Sequence, residues 1–131
     1  MDRRLRLRNE WEINETRRRG TVFAQGPLVA RILKQTSDQP ANRYAVIAGK
    51  RVGGAVQRNR CKRLVREALR TLHPMLEQGY DVVAIVRGTP DELQSMQNTL
   101  DILTRIMSRA QLLVPQAATN PFPDELPERS Q

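Results

Sequence analysis

Three features of this sequence predict an α+β fold, a two-layer α/β sandwich with the order helix, strands, helix, strand, helix. Two segments, one after Gly53-Gly54 and one after Pro90, repeat apolar residues at the three- and four-residue spacing of a helix face. Short runs rich in valine, isoleucine and alanine lie before and between them and read as strands. The chain has 131 residues, enough for a single domain with one modest core. Helices and a sheet that are each apolar on one side bury those sides against each other, which gives the sandwich.

The elements follow in order. Residues 1–8 carry four arginines and little else, and are expected to form a flexible basic arm ahead of a domain spanning 9–114. A short helix is expected from Glu10 to Arg18, with Asn9 as its N-cap and Gly20 as its stop. Thr21–Ala24 reads as a strand, followed by a Gly26-Pro27 turn and a second strand, Leu28–Leu33, with imperfect alternation. A polar loop over Thr36–Asn42 leads to the strand Tyr44–Ala48.

Cys61, Leu64, Val65, Ala68, Leu69 and Leu72 then mark one face of the best-defined helix, which His73-Pro74 ends because the residue before a proline disfavours helical geometry. The nearly unbroken apolar run Asp81–Arg87 reads as a central strand covered on both faces. Thr89 is the expected cap and Pro90 the first residue of a last helix, whose stripe is Leu93, Met96, Leu100, Leu103, Met107 and Ala110. Residues 115–131 hold four prolines and are expected to be a disordered tail.

Charge sets the class of partner. Lys and Arg number 22 against 14 acids, for a net charge of +8. Between Arg43 and Arg70 nine cations face one acid, Glu67, so this segment alone carries as much net charge as the chain. Arg63, Arg66, Arg70, Lys62 and Asn59 fall on the side of the helix away from the apolar stripe, with Arg60 at its far edge and Arg58 in the first turn. An exposed helix normally mixes signs, so a one-signed face this dense calls for a polyanion. The excess of arginine over lysine fits phosphate oxygens and base faces. Gly53-Gly54 allows close backbone approach to a phosphate at the helix start.

Other classes are excluded or weakened. A single cysteine rules out an internal disulfide and a cysteine-built metal site. The cations at the N-terminus are followed by no apolar run, and no apolar segment is long enough to span a bilayer, so the expectation is a soluble cytoplasmic protein without a membrane partner. A nuclease acting alone needs clustered carboxylates or histidines, whereas the acids here are scattered and His73 is the only histidine; no catalytic residue and no metal ligand is assigned. Cys61 sits within the apolar stripe and reads as core.

Arg58-Asn59-Arg60-x-Lys62-Arg63-x-x-Arg66, preceded by Lys50-Arg51-x-Gly53-x-Ala55-Val56, closely resembles the signature of the protein subunit of bacterial ribonuclease P. The element order, an Arg4-Leu5 or Arg6-Leu7 pair ahead of a short helix closed by Gly20, and a leucine-rich last helix agree with that family over roughly residues 4–113. The resemblance implies an α/β sandwich containing a left-handed crossover. It also implies a holoenzyme that removes the 5′ leader from precursor tRNA, in which a catalytic RNA subunit does the chemistry and holds most of the Mg²⁺. The protein would bind that RNA through Lys50, Arg51, Arg58, Asn59, Arg60, Lys62, Arg63, Arg66 and Arg70, and the leader in a cleft of the sheet.

The family places aromatic residues on the first helix. Counting back from Gly20, those positions hold Ile13 and Arg17 here, and the candidates for leader contact are these two with Trp11, Phe23 and Tyr44. Rival readings are a ribosomal-type binder of structured RNA, a DNA-binding module and a free-standing nuclease. The DNA module lacks the extra helix that a helix-turn-helix sets before its recognition helix.

Overall fold

The computed structural model describes residues 3–36 and 41–114; the expected tail at 115–131 and part of the polar loop lie outside the described residues. Helix α1 spans Glu10–Arg19, and the strands β1 to β4 span Thr21–Gln25, Leu28–Lys34, Arg43–Ala48 and Tyr80–Val86. Helix α2 spans Ala55–Leu72 and α3 spans Met96–Arg109. The four strands are ordered β1-β2-β4-β3. β1 and β2 form a hairpin, β2 runs antiparallel to β4, and β3 pairs with β4 in parallel through a crossover that contains α2.

Alternation along the strands sorts the side chains onto two faces. Val82, Ala84 and Val86 of β4, with Leu28, Ala30 and Ile32 of β2, join Cys61, Val65, Leu69, Leu103, Ile106 and Met107 beneath α2 and α3 in the main core. Val83 and Ala45 face the other way, where Leu7 and Ile13 cover them. β4 is therefore apolar on both faces, as its sequence predicts, because α1 and Leu7 cover one face and the α2–α3 layer the other.

Asn9 caps α1 as expected, its side chain accepting from the Glu12 amide at 3.2 Å. Gly20 ends the helix for a reason of space. Its φ is −69°, open to any residue, but a Cβ there would lie 2.5 Å from the Thr16 carbonyl oxygen and 3.0 Å from the Ile32 nitrogen. At Gly53 the backbone itself demands glycine, with φ at +138°.

Two expectations are corrected. Residues 3–7 of the expected flexible arm are docked: Arg3–Leu5 form a 3-10 turn, Arg6 bridges to Tyr44 along the free edge of β3, and Leu7 is buried with its amide donating to the Tyr44 carbonyl at 2.8 Å. One buried leucine and an available strand edge hold them there. The last helix also starts later than Thr89-Pro90 signals. Pro90–Glu92 form only a 3-10 turn, and α3 begins after Ser95, whose Oγ accepts from the Asn98 amide at 3.1 Å. Leu93, fully buried, plugs the gap between the two elements.

Candidate RNA interface

Helix α2 presents its cations as the sequence predicts. Asn59, Arg63 and Arg70 are exposed, Lys62 and Arg66 half-buried at the flanks, and Lys50 and Arg51 exposed on the 3-10 turn ahead of the helix. Among the described residues, no side chain of Arg58, Asn59, Lys62, Arg63 or Arg66 has a hydrogen-bond or ion-pair partner, so this row keeps its full charge for an external anion. From Asn59 to Arg70 it extends about 16 Å at the helical rise.

Two predicted members behave differently. Arg60 turns towards the protein: Nη1 donates to the Leu93 carbonyl at 3.1 Å and Nη2 to the Gln94 carbonyl at 2.9 Å, tying α2 to the chain that leads into α3. Its place at the edge of the basic sector, next to the α3 side, makes that reach possible. Arg70 pairs with Glu67 at 2.8 Å; the hydrogen bond from Arg70 holds the Glu67 carboxyl below its ordinary range, so this end of the row is partly neutralised. Cys61 is fully buried, and burial pushes its thiol up against the pull of Arg60, which keeps it a neutral core residue.

The other face of the sheet forms a groove. Helix α1 crosses it, anchored by Arg43, whose guanidinium donates to both oxygens of Asp81 at 3.0 and 2.9 Å and to both oxygens of Glu12 at 3.2 and 3.1 Å. Asp81 is buried and also accepts from Gln35 at 2.8 Å. This clamp was invisible in the sequence, where Arg43 counted as one more cation.

Beside α1 lie two adjoining depressions, since Ile47 and Ile85, one in each, are register partners. The first, of about 300 Å³, is lined by Asn14, Arg17, Arg18, Arg31 and Ile85. The second, of about 200 Å³, brings Arg6, Arg8 and Arg66 together over an apolar floor that includes Ile13 and Ile47. The groove thus runs from the edge of the α2 row, at Arg66, to the C-terminal end of α1. There Arg31 donates to the Arg17 carbonyl at 2.6 Å.

The five leader candidates are not gathered in one place. Ile13 and Arg17 line this groove. Trp11 is exposed and lines a separate depression on the other flank of α1. Phe23 packs against the main core beneath α3, on the opposite face of the sheet. Tyr44 is buried in that same core, with its hydroxyl 2.7 Å from His73 Nδ1. Tyr44 also borders the second depression, with only 2% of it exposed, whereas Phe23 lies on the core face of the sheet.

Sequence reasoning missed Arg6, Arg8 and Arg31. The last was detectable: in β2 it alternates with Leu28, Ala30 and Ile32, which fixes it on the face away from the core.

Among the described residues there is no group of three or more His, Cys, Asp or Glu side chains able to hold a metal ion. Nor is any helix among them long and apolar enough to cross a membrane.

Solved structures similar to this one share its fold. The RNase P protein of Staphylococcus aureus superposes with a TM-score of 0.72 at 19% identity, covering 83% of this chain and 97% of that one. The RNase P protein of Thermotoga maritima gives 0.70 at 23%, covering 79% and 96%. In sequence, the ribonuclease P protein component of Chloroflexus aurantiacus is 38% identical over 118 residues, 86% of this chain and 82% of that protein. The one from Roseiflexus castenholzii is 33% identical over 125 residues, 95% and 99%. A family model described as Ribonuclease P matches residues 1–111, and the chain belongs to that family of ribonuclease P protein components.

Proposed function

We propose that this chain is the cytoplasmic protein component of a ribonuclease P that removes the 5′ leader from precursor tRNA, with hydrolysis carried out by a catalytic RNA subunit. The observation that carries this reading is the unpartnered row Asn59, Lys62, Arg63 and Arg66 on α2, continuous through Arg66 with the groove beside α1. The row meets the RNA subunit, since folded RNA presents phosphates at close and irregular spacing that a rigid line of guanidiniums can match. Lys50, Arg51 and Arg58 flank it at the helix start.

The groove takes the leader. Its floor is apolar and its walls hold six arginines, Arg6, Arg8, Arg17, Arg18, Arg31 and Arg66, so backbone phosphates and guanidinium stacking replace aromatic stacking as the main contacts. Mg²⁺ in the holoenzyme is held mainly by the RNA subunit. Membership of the family disfavours a ribosomal-type binder.

The test is cleavage of a 5′-extended precursor tRNA at low Mg²⁺ by the protein alone, the cognate catalytic RNA alone, and both. Cleavage only with both, or far faster with both, is expected. No effect of the protein where the RNA alone is limiting would overturn the proposal.

A further inference from the structure

The chain has one tryptophan, Trp11, and 69% of it is exposed. It does not face the groove. With Glu12, Glu15 and Arg19 it borders a separate depression of about 220 Å³ on the other flank of α1, reaching to Leu33 and Lys34 at the end of β2. The polar groups at the bottom of this depression are already engaged: Arg43 with Asp81 and Glu12, Gln35 with Asp81 and the Ala41 carbonyl. At the rim the balance differs. Lys34 has no partner among the described residues, and Arg19 stands 3.7 Å from its nearest acid, Glu15.

We propose that this depression receives a single unstacked nucleobase of an RNA strand, which stacks on Trp11 while the adjoining phosphate meets Lys34 and Arg19. A large indole held in water next to Lys34 and the loosely paired Arg19 matches the two halves of a nucleotide, a flat apolar face and an anion. The volume lies below the roughly 300–1,000 Å³ of pockets that enclose drug-sized ligands, which suits one ring system. Because the floor's hydrogen bonds are satisfied internally, stacking dominates over base-edge reading and the site is tolerant of sequence.

The inference rests on the ribonuclease P reading above, and the base comes either from the RNA subunit or from the leader. Since Trp11 is the sole tryptophan, its fluorescence reports this site alone. The full-length protein is titrated first with the catalytic RNA, then, as the holoenzyme, with leader-bearing precursor tRNA and with mature tRNA, while anisotropy of labelled RNA follows complex formation. Quenching on addition of the catalytic RNA assigns the base to that subunit. Quenching only with the leader-bearing substrate assigns it to the leader.

For the RNA so identified, Trp11→Ala is expected to weaken binding about tenfold and Trp11→Phe to retain it. Unchanged fluorescence in complexes that form normally, or unchanged affinity in Trp11→Ala, overturns the proposal. The cleavage assay is read separately. Cleavage assisted by the protein with a silent Trp11 removes this site and leaves the family function standing.

Discussion

The Arg60 guanidinium donates to the backbone carbonyl of Leu93 at 3.1 Å, so an arginine at the centre of the basic motif binds the protein itself. Its second bond, to Gln94 at 2.9 Å, completes a strut between α2 and the start of α3. Arg60→Ala is therefore expected to lower stability by about 1–3 kcal/mol through loss of two charge-assisted bonds, with little change in the salt dependence of RNA binding. Urea unfolding beside a salt titration of RNA affinity separates the two effects. A slope that falls while stability holds would return Arg60 to the RNA interface.

Arg63 and Arg66 should show the reverse behaviour. Neither has an internal partner among the described residues, so Arg63→Ala and Arg66→Ala remove charge without leaving a buried group unpaired. Each is expected to reduce the slope of log K against log salt by about one unit or less and to leave the unfolding midpoint nearly unchanged. The double variant combines both losses. An unchanged slope would take these residues out of the interface.

Arg43 holds α1 on the sheet. Among the described residues, Arg43→Met leaves the buried Asp81 carboxylate with only Gln35 as a side-chain partner and frees Glu12. Removing one member of a buried pair costs about 3–5 kcal/mol, and the partial exposure of Arg43 lowers the expected loss to about 2 kcal/mol. Leader affinity should fall with it, because α1 forms one wall of the groove, while affinity for the RNA subunit through α2 should not. Loss of both in equal measure would mean that the two surfaces are not separable.

The contrast between these arginines shows what was legible in the sequence. The stripe from Cys61 to Leu72 fixed the orientation of α2 by itself, because helical periodicity is local, and Arg63 and Arg66 followed from it. The place of Arg43 depends on a parallel pairing with Asp81 38 residues away, and no local pattern encodes that. The same holds for the N-terminal arginines: Leu7 is the only buried side chain among the described residues before α1, too little for periodicity to register, and its site is a strand edge formed much later in the chain. Tyr44 and Phe23 looked available because aromatic identity was read without a face. Their partners in the sheet decide the face, and it is the core one. At α3, the Thr89-Pro90 signal was real, but it opened a 3-10 turn that Leu93 and Arg60 close before the helix starts.

Ile13 sits on the groove floor between Leu7 and Ile47, partly buried. Ile13→Phe is expected to maintain or tighten leader binding, since a ring at this position would offer a base a face to stack on. A folded variant that binds the leader much more weakly would place the strand elsewhere. The comparison needs leader-bearing and leaderless substrates measured with one preparation of holoenzyme.

Tyr44 and His73 meet at 2.7 Å, and the burial of each makes stability depend on pH, one at each end of the scale. Burial pushes the Tyr44 phenol up to about 12 from an ordinary value near 10, so the folded state holds its proton where the unfolded chain releases it. Stability from this group is present in full below pH 10 and is lost as pH rises towards 12, by about 2–3 kcal/mol at most. Burial shifts His73 the other way, below its ordinary 6.5, because the folded state disfavours the imidazolium. Its contribution is complete above that value and declines as pH falls through the window beneath it. Tyr44→Phe should flatten the alkaline limb at a cost of about 1 kcal/mol for the lost hydrogen bond, and His73→Gln should flatten the acid limb. Urea midpoints between pH 5 and 12 for the parent and both variants check this. Coincident curves in Tyr44→Phe and the parent above pH 10 would show that the phenol does not set the alkaline limit.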